Sequence, residues 1–549
     1  MRQKGQMKSD QIAISGPPPV ESMHGHYRVS LACPAMTEVL VSGDVVLASA
    51  GSPPLASGAV LIAEGAIAEI GDRAALRREH PGAWEVGGEG MLVLPGLINA
   101  HHHGMAISTV QLGFPDPGPP DPGMRDTPFE SWMGTMLALD AIDPYLGTLC
   151  KDVLLIESGV TSHLHMHFPS GSGDGRAEDA YAYELRETLR AHRASGQRVA
   201  LAPHWSDRSR LAYDGDDAFI ASLPGRLQDR ARRLSAARMP IGAYLDTMRE
   251  LIGELGGDPL LSMQLAIMAP QWATDELVRE VGAAADELGA GVHLHALESR
   301  LQRAWGDAFA GGRELERLVD AGVLSDRSAL AHGVWLRDSD VELLARTGAT
   351  VVHNCSSNLR LATGIAPIRQ LVGGGVSVAL GLDDMGLADD DDMFAEVRVA
   401  HVMQRVHGAP EHPRLDPARL FGLVWEGGAR VVGAAASIGR LEPGMRGDVV
   451  VLDLQALRAP FAAGDADIWD LLLTRARAAH VHSVIVEGRP LMLGRRLQHV
   501  DRDALMQEVA TAAASAVAKR SPDEAAWIEQ LRRRIVEHYQ APVWHEGSP

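Results

Sequence analysis

The chain carries 23 histidines, and several of them close short apolar runs. His101 and His103 end the run in PGLINAHHHG. In a strand, residues i and i+2 face the same way. Two imidazoles on one face at a strand end can hold one metal ion together, while His102 points the other way. His293, His295 and Glu298 stand in GVHLHALES, His332 ends LAHGVW, and Asp383 ends ALGLDD. Taken singly, a buried His or Asp is ordinarily a core polar group with its hydrogen bonds satisfied. Their recurrence at the ends of successive runs is what points to a site. Imidazoles with one carboxylate suit Zn²⁺ or another borderline divalent ion.

The elements that must position these groups alternate along the chain. The apolar runs are 91–99, 159–166, 197–204, 263–270, 291–298, 328–335, 349–356 and 376–384. Helical patterns such as TDELVREVGAAADELG and RELERLVDAG lie between them. Strand–helix alternation of this kind predicts an α/β fold, a (β/α)₈ TIM-type barrel, whose catalytic groups sit at the C-terminal strand ends. Insertions at about 105–145, 168–196 and 207–255 follow the first three runs, where βα loops shape a substrate pocket. Short β-branched runs before the barrel (TEVLVSGDVVLA, SGAVLIAEGAIAEIG) and after it (GDVVVLDLQ, HVHSVIVEGRPLML) predict a small discontinuous β-sandwich built from both chain ends. The expected division is a loose extension at 1–36, sheet at 37–92, barrel at 93–436, sheet again at 437–500, and a helical tail at 501–549 with frayed last residues.

Composition removes whole classes. Of 549 residues, 46% are hydrophobic and 22% charged, which excludes a disordered chain. A net charge of -20 argues against nucleic acid or an anionic membrane as partner. Cys33, Cys150 and Cys355 form no CxxC, so neither a disulfide framework nor a Cys-rich zinc site is expected. The same three cannot build an H-x-E…C-x-x-C zinc site. The first residues lack an apolar signal core, and no run of about 18 apolar residues occurs, so the expected location is the cytoplasm.

In order, PGLINAHHHG, HLHALES, LAHGVWL, HNCSSNLRLATGIAPI and VALGLDD resemble the amidohydrolase superfamily. Within it they resemble the branch holding cytosine and guanine deaminases, adenosylhomocysteine-type deaminases and triazine hydrolases. The resemblance runs from about 38 to about 495 and takes in the return strand IGRLEPGMRGDVVVLDL. It implies that His101, His103 and His295 are metal ligands. It implies that Asp383 is a ligand and the base toward the nucleophilic water, that His332 hydrogen-bonds that water, and that Glu298 shuttles the proton. The chemistry of the groups agrees. A metal-bound water has its pKa lowered to about 7, one carboxylate takes its proton, and another can protonate a ring nitrogen. Binuclear members of the superfamily use a carboxylated lysine on the fourth strand. The fourth run here, MQLAIMAPQW, has none, so one ion per chain is expected, zinc before iron.

The expected activity is hydrolytic deamination of a small amino-substituted N-heterocycle of purine, pyrimidine, pterin or triazine type. Release of another leaving group, such as halide, is the alternative. A barrel that has lost its activity is disfavoured because every matched position is filled. A homo-oligomer is left open. The second run departs from the branch pattern: TSHLHMH puts His163, His165 and His167 on one strand face. His165, His167, His204 and Gln271 are the expected substrate-binding residues. Cys355 replaces the usual proline of its motif and is expected to pack. The Asp389–Asp392 run is expected to open a helix.

Overall fold

The computed structural model describes residues 38–108, 110–113, 142–168, 177–209, 211–236, 239–383, 390–406, 411–519 and 521–544. The expected extension at 1–36, Cys33, Asp389 and most of the first long insertion lie outside them.

The barrel strands are β1 (Leu97–His102), β2 (Val160–His165), β3 (Arg198–Leu201, continued by His204–Trp205) and β4 (Leu261–Met263, continued by Leu265–Ile267). They continue with β5 (Val292–Ala296), β6 (Ser328–His332), β7 (Thr350–His353) and β8 (Ser377–Leu380). Each pairs in parallel with the next. β8 returns to β1 just past its end. There Leu382 N–H donates to Asn99 Oδ1 at 2.9 Å and Asp383 N–H to His101 O at 2.9 Å. The inward positions are mostly small: Ala100, Ala200, Ala202, Ala266, Ala329 and Ala379 pack with Ile98, Leu164 and Val352 in one buried cluster drawn from seven strands. Alanines there leave room for rings at the mouth.

The helices that bear on the site are α1 (Pro144–Glu157), α2 (Ala177–Ser195), α3 (Arg300–Phe309), α4 (Cys355–Arg360), α5 (Met393–Val406), α6 (Arg502–Lys519) and α7 (Pro522–His538). Asp143 starts α1 by accepting from Leu146 N–H, with Pro144 in the first turn, where its missing N–H costs nothing. Ser299 caps α3 through Gln302 N–H. Asp392 precedes α5 and accepts from Phe394 N–H at 2.9 Å and Ala478 N–H at 2.9 Å. Cys355 is buried in the core under β8.

The small domain is a sandwich. One sheet holds Glu38–Ser42, Gly58–Ala63, Ala66–Asp72 and Trp84–Gly87; in the other, Val449–Asp453 lies between Met91–Pro95 and Val481–Val486 and pairs with both. Val39, Val60 and Ile62 of the first face Val93, Val449 and Ile485 of the second. The run 91–99 therefore divides. Met91–Pro95 belongs to the sandwich, and the barrel strand begins at Leu97. Gly96 is the joint, because a Cβ there would strike Thr161.

The tail is helical as expected, but its end is not frayed as far as it is described. Trp544 is fully buried against Tyr213 and Tyr539. Through Tyr213, α7 packs on Trp272 and Trp305 above β4 and β5.

Barrel closure suggests a first test. A Cβ on Gly381 would lie 2.5 Å from Asn354 Oδ1 and 2.8 Å from His101 Cβ. Gly381→Ala should cost about 1–3 kcal/mol by overpacking. Thermal unfolding of the metal-free protein should show a lower midpoint. An unchanged midpoint would mean that β8 and β1 do not approach this closely.

Candidate active site

Four elements bring their side chains to one point at the C-terminal mouth. A register shift in the β1–β2 pairing lies between Asn99 and His102. Such a bulge re-aims side chains at a strand end. It lets inward Ala100 be followed by inward His101 and His103, with His102 turned outward.

The ligand nitrogens are selected by what holds the other nitrogen of each ring. His103 Nδ1 donates to Met166 O at 2.8 Å and His295 Nδ1 to Met268 O at 2.7 Å. Each ring therefore presents the Nε2 lone pair to the centre. His101 Nδ1 stands 2.8 Å from His293 Nε2, and His101 Nε2 makes no hydrogen bond although fully buried. His293 thus sits one layer below the centre, behind His101. Burial holds His101 and His295 well below the ordinary histidine range, with the neighbouring imidazoles adding to the effect. Burial also pushes His293 down to about 3. Burial thus favours the neutral ring at His101 and His295, the form that can bind a metal.

Asp383 and His332 complete the ring of groups. Asp383 Oδ1 lies 3.4 Å from His103 Nε2 and 3.9 Å from His101 Nε2. Its Oδ2 accepts from Ser357 Oγ at 2.9 Å. His332 Nδ1 donates to Asn358 Oδ1 at 2.8 Å, and its Nε2 stands 3.8 Å from Asp383 Oδ2 and 3.9 Å from Glu298 Oε1. Both residues have left-handed backbone, φ 78° at His332 and φ 54° at Asp383. For such residues this costs about 1–3 kcal/mol and turns the side chain inward where a regular strand would not.

Glu298 lies past the end of β5. Burial pushes its carboxyl above the usual range, and Asp383 adds to this against the opposing pull of His332. Gln302 on α3 accepts from Glu298 N–H at 2.9 Å and donates to Glu298 Oε2 at 3.3 Å.

Among the described residues, the pocket over this centre is lined by His103, His295, Glu298, His332 and Asp383 on its floor and by Met105, Phe168, Met268, Trp272 and Leu361 on its walls. The floor is polar and the walls are apolar, a combination suited to a flat ring with a few hydrogen-bonding edges.

The expected substrate-binding residues are not in this lining. His165 faces outward, with Nδ1 3.0 Å from His192 Nε2 on α2, and His167 Nε2 lies 2.8 Å from Glu184 Oε1. The reason is alternation: Leu164 and Met166 take the inward positions of β2. His204 packs edge-on against Phe168 and donates to His167 O, and Gln271 is buried beside Trp272. Ser357 and Asn358 were missed as holders of Asp383 and His332, though both stand in the quoted HNCSSNLR segment. Asp152 and His192, which meet the outward histidines, carry no local signal.

Donor chemistry fits a divalent ion. His101, His103 and His295 form one group whose ligand atoms lie within 4.8 Å of one another, and His101, His332 and Asp383 another. Neutral lone pairs facing each other without a shared proton are unfavourable unless a cation sits among them.

Known proteins resemble this chain in sequence and in fold. The Amidohydrolase family model matches residues 92–491. The 5'-deoxyadenosine deaminase of Methanosarcina mazei is 27% identical over 496 residues, covering 88% of this chain and 99% of that protein. The 5-methylthioadenosine/S-adenosylhomocysteine deaminase of Desulforudis audaxviator is 29% identical, covering 86% and 97%. Two solved structures share the fold. An adenosine deaminase from Xanthomonas campestris with bound zinc has a TM-score of 0.69 at 24% identity, over 87% of this chain and 98% of that one. Atrazine chlorohydrolase from Arthrobacter aurescens complexed with zinc has a TM-score of 0.71 at 20% identity, over 86% and 100%.

Metal should therefore stabilise the fold. Zinc at about 100 times its Kd adds about 2.7 kcal/mol. Added to stripped protein, it should raise the melting temperature, and a chelator should reverse the rise. Asp383→Asn should remove most of the shift. No shift, or a full shift in the variant, would contradict this ligand set.

Proposed function

The chain belongs to the amidohydrolase family, and on that premise we propose that it hydrolytically deaminates a small amino-substituted N-heterocycle, with adenine-type nucleosides the first to try. It is a metal-dependent hydrolase acting on C–N bonds other than peptide bonds. The observation that carries the finer reading is Glu298: a buried carboxyl, pushed up in pKa, facing a pocket with apolar walls beside a second carboxylate. The adenosine-derived substrates in the relatives' names support it.

In this reading His101, His103, His295 and Asp383 hold one divalent ion, zinc before iron. β4 and its flanks carry no lysine to bridge a second. Such an ion would supply Lewis acidity and make a nearby water more acidic. Asp383 takes a proton from the attacking water, with Ser357 holding its other oxygen. His332, its Nδ1 tied to Asn358, uses Nε2 to orient the water between the two carboxylates. Glu298 delivers a proton to the ring nitrogen next to the amino-bearing carbon, which makes that carbon electrophilic. A C–O bond forms and the carbon becomes tetrahedral. Asp383 passes the proton it took from water to the amino nitrogen, the C–N bond breaks with its electron pair on that nitrogen, and ammonia leaves as the adduct's hydroxyl proton returns to Glu298. The balance is one amine and one water giving one oxo product and one ammonia.

Glu298→Gln keeps the side chain's size and loses its proton transfer. Turnover should fall by about 10²–10⁴-fold with metal content unchanged and binding of a substrate-like heterocycle within about tenfold. Loss of metal from that variant would make Glu298 a ligand; normal turnover would move the shuttle elsewhere. The reaction itself is read by ammonia release from zinc-loaded protein across a panel of aminopurines, aminopyrimidines, pterins and triazines. Halide release from a chlorinated ring, with no ammonia from any amine, would overturn the deaminase reading.

A further inference from the structure

A line of buried groups runs behind the mouth, on the outer face of β1 and β2, without touching the pocket. Its direction follows from one backbone amide. Gly104 N–H donates to His102 Nδ1 at 2.9 Å. An amide can only donate, so His102 carries its lone pair on Nδ1 and its proton on Nε2. That proton points at His163 Nδ1, 2.8 Å away. His163 accepts there and so carries its own proton on Nε2, which faces Asp152 Oδ1 at 3.4 Å, within ion-pair distance but without a formed hydrogen bond. From the other side, His192 Nδ1 donates to Asp152 Oδ2 at 2.8 Å, and His192 Nε2 accepts from His165 Nδ1 at 3.0 Å. The His165 ring stacks on His102, with centroids 5.0 Å apart and planes at 17°. Every donor along the line points toward Asp152. Asp152, His102, His163 and His192 are at 0% exposure and His165 at 1%.

Asp152, His163 and His192 are also close enough to hold a cation. Hydrogen-bond direction argues against one. To ligate, His163 would need its lone pair on Nε2 and its proton on Nδ1. His102 would then have to accept on Nε2 and carry its proton on Nδ1, against the Gly104 N–H.

The geometry points to Asp152 as a positioning residue for the metal centre, anchoring the His101–His103 segment through His163 and His102. The inference rests on the reading of His101 and His103 as metal ligands. His102 is the one residue between them, and it sits at the register shift of β1, where ladder bonding is interrupted. A side chain gripped at its edge by His163 and on its face by His165 does there what a regular ladder does elsewhere. Asp152 collects both arms, one from β2 directly and one through α2.

The test measures zinc affinity against a chromophoric chelator for full-length wild type, Asp152→Asn, His163→Gln and the double variant. Melting of each stripped protein serves as the fold control. Partners behind a metal ligand are typically worth 10–100-fold in affinity, and each single change should weaken zinc by about tenfold or more. The double variant should lose no more than the worse single, because both break one line. Nitrogen-15 spectra of histidine-labelled wild type should show His102 and His163 protonated on Nε2, and His165 and His192 on Nδ1. Wild-type affinity in a folded single variant, additive losses, or His163 protonated on Nδ1 would each overturn the inference. If Asp152→Asn does not fold, His163→Gln and the tautomers decide. Failure of wild type to bind zinc at all would instead refute the metal reading.

Discussion

Three imidazoles converge on one point only because each is held by its other nitrogen. Met166 O and Met268 O, just past the ends of β2 and β4, take the Nδ1 protons of His103 and His295. His101 Nδ1 meets His293 Nε2. Strand order puts the two carbonyls beside the rings that need them, so the barrel's topology fixes the tautomers of His103 and His295. Burial favours the neutral ring at His101 and His295, and Asp383 adds a carboxyl group beside them. The left-handed backbone at His332 and Asp383 is the strain the arrangement tolerates.

Much of this was legible in the sequence because the barrel puts chemistry at strand ends. A motif at a strand end is also a position in space. His103, His295, His332, Glu298 and Asp383 come from four separated segments, yet each ends or follows an apolar run, and the structure gathers them around one pocket with His101 just behind, 3.9 Å from Asp383. The outward turn of His163 and His165 was not legible. Period-2 alternation says that two residues share a face but not which face, and Leu164 and Met166 take the inner one. The division of the run 91–99 was hidden for a related reason. Sandwich and barrel strands are equally apolar here, and only the Gly96 contact separates them.

Substrate shape falls to parts with no readable pattern. Trp272 lines the pocket and rests on Tyr213, whose N–H donates to Tyr539 Oη at the end of α7. The far end of the chain thus stands directly behind one pocket wall. Trp544 adds its buried ring to the same cluster. Aromatic residues near a chain end give no hint of a partner some 300 positions away, which is why the tail read only as helix.

The central claim is that one ion sits among His101, His103, His295 and Asp383. The most direct measurement is anomalous diffraction at the zinc edge from zinc-loaded crystals. The account predicts one peak per chain, about 2.0–2.2 Å from Nε2 of each of the three histidines and from an Asp383 oxygen. Two peaks at the mouth, or a single peak among Asp152, His163 and His192, would contradict it.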